Sequence, residues 1–171
     1  MIIAIDGTLA SGKGTIARRL AAYYGFAHMD SGQLYRATGV AAMRERVNFD
    51  DAAGLAGIAA TLDLTTFDES ELRTAEAGIA ASKVAVIPEV RAALLQLQRT
   101  FAIQPGGAII DGRDIGTVVC PDADVKLWVD ASIEVRATRR WKELQAKGDT
   151  LTLEEMITQL KERADRDRNR Q

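Results

Sequence analysis

The first fifteen residues of this 171-residue chain limit its possible folds more than any other stretch. An apolar run, Ile2-Ile3-Ala4-Ile5, ends in Asp6 and opens into Gly7-Thr8-Leu9-Ala10-Ser11-Gly12-Lys13-Gly14-Thr15. A buried strand that empties into a glycine-rich turn, with a helix beginning near Ile16, brings backbone N–H groups together on one anion at a positive helix end. Lys13 adds a full charge. The spacing matches the G-x-x-x-x-G-K phosphate loop, but Gly14 stands where that pattern carries Ser or Thr, and Thr15 follows one place later. With no hydroxyl at 14, a metal ion would lean on phosphates, water and a carboxylate from elsewhere. Glycines also serve ordinary strand-to-helix turns, yet strand, loop, lysine and helix all occur here in the order a phosphate requires.

Composition narrows the chemistry. At 47% apolar and 27% charged residues the chain is an ordinary globular domain, with length for one core and small inserts. A net charge of -2 argues against a nucleic acid polymer as partner, since counterion-releasing binders need a basic face. Cys120 is the only cysteine and His28 the only histidine, which leaves disulfides, structural zinc and a Ser-His-Asp triad poorly supported. The apolar start contains Asp6, so it reads as a strand rather than a signal peptide or membrane span, and a cytoplasmic protein is expected.

Four short apolar runs, at 2–5, 26–29, 108–110 and 125–129, each end in an aspartate: Asp6, Asp30, Asp111 and Asp130. Helical segments separate them, as in a doubly wound α/β fold whose parallel strands present ligands beyond their carboxyl ends. Asp130 reads more readily as the cap of the next helix, and Ser31 or Gly32 as the start of the helix after Asp30. Residues 47–75 are acidic and weakly patterned; a small peripheral insert is expected, with a short strand at 62–66. A helix follows over 74–86. Pro88 opens another, whose Val90, Leu94, Leu97 and Phe101 form an apolar stripe.

Beyond the third strand, Asp111-Gly112-Arg113-Asp114-Ile115-Gly116-Thr117 reads as a site or as a charged surface turn. A basic helix over 135–146 breaks at Lys147-Gly148 and leads to a last helix from Leu153, a hairpin that could close over a ligand. On the last helix Arg163, Asp167 and Arg170 recur at i, i+4 and i+7, one face beside Met156, Leu160 and Ala164.

The Gly-Lys-Gly-Thr variant resembles nucleoside monophosphate kinases more than GTPases or motor ATPases. With the segments at 29–36, 111–117 and 165–170, nearly the whole chain resembles bacterial cytidylate kinases. The resemblance implies a P-loop kinase fold with a four-stranded sheet, an acceptor-binding insert at about 31–87 and a helical lid at about 136–153. It implies that residues 7–15 hold ATP and that Arg36 and Arg113 hold the phosphate of CMP or dCMP. Ser31, Arg91, Asp114 and Arg170 match positions that contact cytosine, and Ser82, Arg163 and Asp167 match positions near the sugar. A carboxylate such as Asp114 accepts from the cytosine amine while arginines donate to its acceptors; uracil reverses that pattern.

Family members usually carry a longer hairpin between about 62 and 73 and continue through a fifth strand and a final helix. A reduced accessory sheet, a missing fifth strand and a partly uncovered adenine pocket are therefore expected. Lys13, Arg36, Arg113 and lid arginines among Arg136, Arg139 and Arg140 are expected to neutralise the transferred phosphoryl group. Mg²⁺ arrives with ATP, no protein group ligates it directly, and Asp111 is the candidate for orienting its water. A monomer is the default. Another small-molecule or monophosphate kinase, or a nucleotide-binding fragment without catalysis, is the alternative.

Overall fold

The computed structural model describes residues 1–168, with side chains through Asp165. Its strands are β1 (Ile2–Gly7), β2 (Ala27–Asp30), β3 (Ala108–Gly112) and β4 (Val125–Val129). Its helices are α1 (Lys13–Tyr24), α2 (Ser31–Arg44), α3 (Ala52–Ala60), α4 (Glu69–Leu72), α5 (Ala75–Val84), α6 (Pro88–Ala102), α7 (Ile133–Gln145) and α8 (Leu153–Arg168). The four strands form one parallel sheet in the order β2-β3-β1-β4.

Alternation along the central strands covers both faces of the sheet, the arrangement expected of buried parallel strands. Ile3, Ile5 and Ile109 pack with Ala17 and Ala21 of α1. Ala4 and Ile110 pack with Ala102 of α6 and with Ile115 and Val119. Because β1 pairs Asp6 with Gly112, β3 pairs Asp111 with Asp30, and Gly7 lies opposite Val129, the carboxyl ends share one edge. The four terminal aspartates stand along it, as the sequence pattern implied.

Several local expectations are corrected. Residues 47–75 are not peripheral: α3 buries Leu55 and Ala59 in a core with Leu34, Val84, Val90 and Leu94. The segment expected as a strand at 62–66 is a 3₁₀ turn over Leu64–Thr66, because the Asp63 carboxylate accepts from the backbone N–H and the hydroxyl of Thr65 and turns the chain. Helix α1 starts at Lys13, three residues before the expected Ile16. Helix α2 does start at Ser31, as expected, and Asp30 caps it by accepting from Gly32 N at 2.9 Å. Asp130 does not cap the helix after β4; Ser132 does. Strand β4 is a sheet edge, and Trp128 on it is 65% exposed.

Candidate functional site

Gly12 sits at φ 99°, a left-handed conformation open to glycine, and turns the chain directly into α1. Having no side chain, it leaves the first N–H groups of that helix uncapped, which suits an incoming anion. The Lys13 ammonium donates to Thr8 O at 3.4 Å. Burial pulls its pKa down to about 8, nearby Arg113 adds to the fall, and Asp111 and Asp30 oppose it. The Thr8 hydroxyl donates to Asp130 Oδ1 at 2.5 Å. That hydrogen bond, more than the one from Ala131 N, holds the Asp130 carboxyl below its usual range. Asp130 thus anchors the loop to the end of β4.

Across the edge from the loop, one cleft of about 560 Å³ gathers Gly7, Lys13, Gly14, Ser31, Arg36, Arg91, Asp111, Arg113, Asp114, Arg136 and Arg163 in its wall. Arg36 reaches Leu72 O at 3.3 Å, and burial lowers its pKa. Arg91, from α6, donates to Asp114 Oδ2 at 2.5 Å. Asp111 is only 2% exposed; one oxygen meets His28 Nε2 at 2.7 Å, and the other lies 3.6 Å from where a Cβ on Gly14 would stand. Asp6 accepts from Ile115 N and Gly116 N, both at 2.8 Å. Burial raises its pKa and the two N–H groups oppose that.

The α7–α8 hairpin closes the other side. Arg136 donates through Nε to Ala131 O at 2.9 Å and through Nη1 to Leu9 O at 3.4 Å. Arg139 donates to Ser11 O at 3.1 Å. Two arginines of α7 therefore grip the phosphate loop by its carbonyls, whereas Arg140 pairs with Glu143 at 2.8 Å. Residues 3–171 match the family model described as cytidylate kinase. The chain belongs to the cytidylate kinase family. Among its relatives, the cytidylate kinase of Xanthobacter autotrophicus is 56% identical over 167 residues, covering 98% of this chain and 80% of its own. That of Azorhizobium caulinodans is 54% identical over 170 residues, covering 99% and 82%. That of Methylocella silvestris is 53% identical, covering 99% and 79%. A solved structure from Thermus thermophilus aligns with 99% of this chain at 20% identity and a TM-score of 0.49, too low to carry an argument.

In this cytidylate kinase family member a second cavity of about 520 Å³ adjoins the first and shares Leu9, Arg36, Leu160 and Arg163 with it. Ser82 and Arg140 line only the second, and the buried Ser82 hydroxyl has no hydrogen-bond partner among the described residues. Asp167 lies on α8 and its side chain, like Arg170, falls outside the described residues. Sequence reading assigned no contact to His28, Asp6 or Arg99, which bond to Asp111, to Ile115 N and Gly116 N, and to Val118 O and Val119 O. The uniqueness of His28 and the repeated strand-ending aspartates were available signals; Arg99 gave none, since its targets are backbone carbonyls.

Proposed function

We propose that this chain transfers the γ-phosphoryl group of ATP to CMP and dCMP. The observation that carries the reading, beside family membership, is that a phosphate loop with a half-buried lysine and an Arg-Asp pair suited to cytosine face one cleft. In this reading residues 7–15 hold the ATP phosphates and Arg36 and Arg113 hold the acceptor phosphate. Ser31, Arg91 and Asp114 take the base, with Arg91 holding one Asp114 oxygen so that the other faces the cytosine amine. Arg163, shared by the two cavities, and Ser82, in the second, serve the sugar. Residues 31–87 act as the acceptor-binding insert and 136–153 as the lid.

The chemistry asks little of a general base, because a nucleoside monophosphate already presents an anionic oxygen. Its main barrier is charge. Like unit charges about 4 Å apart repel by roughly 4 kcal/mol at an effective dielectric of about 20, so cations must line both halves of the cleft. Lys13, Arg36 and Arg113 do so from the sheet edge. Arg136 and Arg139 keep the loop in shape through Leu9 O and Ser11 O, and Arg140 would reach a phosphate by leaving Glu143. Kinases of this kind work with a divalent metal, which we take to be Mg²⁺. Such an ion would enter with the nucleotide phosphates. Asp111 beside Gly14 would orient its water, and the ion would offset phosphate charge during transfer. Closure of the hairpin would exclude bulk water. Among the described residues no helix is long and apolar enough to cross a membrane.

A coupled assay with CMP, dCMP, UMP, AMP, dTMP and shikimate tests the substrate class, and CMP and dCMP are expected to lead. Arg113→Met should lower transfer by orders of magnitude while calorimetry shows ATP binding retained. Near-normal turnover of that variant, or a preference for another acceptor, would overturn the reading.

A further inference from the structure

The residues 115–119 that follow Arg113-Asp114 form a single π-helical turn, an uncommon conformation that needs support from its surroundings. Support comes from both ends. At its amino end the buried Asp6 carboxylate accepts from Ile115 N through Oδ1 and from Gly116 N through Oδ2, each at 2.8 Å. At its carboxyl end Arg99 of α6 donates through Nε to Val119 O at 3.1 Å and through Nη2 to Val118 O at 3.0 Å. An anion thus meets the positive end of the turn and a cation its negative end, the polarity that a helix dipole favours. Asp6 is also the last residue before the phosphate loop, and it lies opposite Gly112 across the β1–β3 pair. One side chain therefore joins the end of the donor strand to the turn that carries Arg113 and Asp114.

We propose that Asp6 and Arg99 are positioning residues for the acceptor: together they hold the 115–119 turn so that Arg113 and Asp114 meet the monophosphate and its base. This rests on the reading of Arg113 and Asp114 as acceptor ligands. Neither residue needs to touch a nucleotide. Asp6 sets the height of the turn against the sheet and Arg99 sets its tilt against α6, so loss of either shifts Asp114 relative to the cytosine amine while the loop at 7–15 keeps its own geometry.

The test compares Asp6→Asn, Arg99→Met and Arg99→Lys in the full chain, with folding checked by circular dichroism. Asn keeps the shape but offers one accepting oxygen where Asp offers two. Asp6→Asn, which loses one hydrogen bond to a charged group, is expected to raise KM for CMP about tenfold, and Arg99→Met, which loses two, by at least about tenfold. Both should lower the CMP-over-UMP ratio of kcat/KM and leave the calorimetric affinity for a non-hydrolysable ATP analogue within about twofold. Arg99→Lys, which restores one donor, is expected to recover part of the loss. Arg99 is exposed, so its variants decide the matter even if Asp6→Asn fails to fold. Unchanged CMP parameters in folded Arg99→Met, or equal losses for CMP and the ATP analogue, would overturn the proposal. Asp114→Ala separates the two levels. If it erodes the CMP-over-UMP ratio while Asp6→Asn and Arg99→Met do not, only the brace fails; if it leaves the ratio unchanged, the acceptor reading itself fails.

Discussion

Lys13 has a pKa of about 8 in the folded chain against 10.5 for a free lysine, and burial is the main cause. Between those values the unfolded chain binds more protons, so this residue makes stability rise with pH over that window; below it, the buried charge costs roughly 3 kcal/mol. Lys13→Met is therefore expected to be more stable than the parent at pH 7, with the difference gone near pH 10.5, in urea titrations at the two pH values. Phosphates in the loop would restore the charge, so ATP binding near pH 8.5 should take up protons, seen as a buffer-dependent binding heat. The proposed role of Lys13 at a phosphate rests on the glycine spacing around it, which was legible in the sequence. Its neighbours were not: Arg113 lies a hundred positions away in the sequence, and only the sheet brings it near. His28 shows the same limit, since nothing local to β2 announces its bond to Asp111 on β3.

Among the elements, α2 and α5 pack closely where Gly39 faces Ala80. A Cβ on Gly39 would lie 2.7 Å from Ala80 Cβ and 2.9 Å from its backbone carbon. Gly39→Ala gains about 1 kcal/mol of helix propensity, but neither helix can yield without disturbing the core behind it. A net loss of about 1–3 kcal/mol is expected in thermal or urea unfolding, and a stabilised variant would show that the helices can separate freely. Helices with a wide apolar stripe were readable: α6 carries Val90 and Leu94 inward as its spacing implied. Helix α3 was not, because Ala-Ala-Gly-Leu-Ala-Gly-Ile-Ala-Ala has little polar contrast to mark a face. The 3₁₀ turn after it was hidden for a different reason, since β-favouring residues at 64–66 yield to a local side-chain bond from Asp63.

At the level of the whole molecule, the α7–α8 hairpin stands on its own small core of Ala137, Leu144, Met156 and Leu160, and Leu9 of the phosphate loop packs against it. The Arg136 and Arg139 bonds to Leu9 O and Ser11 O reinforce that contact. Arg139→Ala should loosen the hairpin from the loop and raise the rate of proteolytic cutting at 146–150 by roughly tenfold, the scale of one lost hydrogen bond to a charged group, while ATP should slow cutting of the parent chain. Equal cutting of both chains, with and without ATP, would mean that the hairpin and the loop move independently. By itself, the sequence determined the phosphate loop, the parallel α/β class and the three segments that resemble cytidylate kinases, because each rests on local spacing: a period, a glycine position, a charge beside a strand end. The strand order, the grip of Asp6 and Arg99 on one turn, the His28–Asp111 bond and the anchoring of α7 to the loop were decided only by tertiary structure. These contacts join groups 19 to 128 positions apart, whose meeting depends on how strands and helices stack.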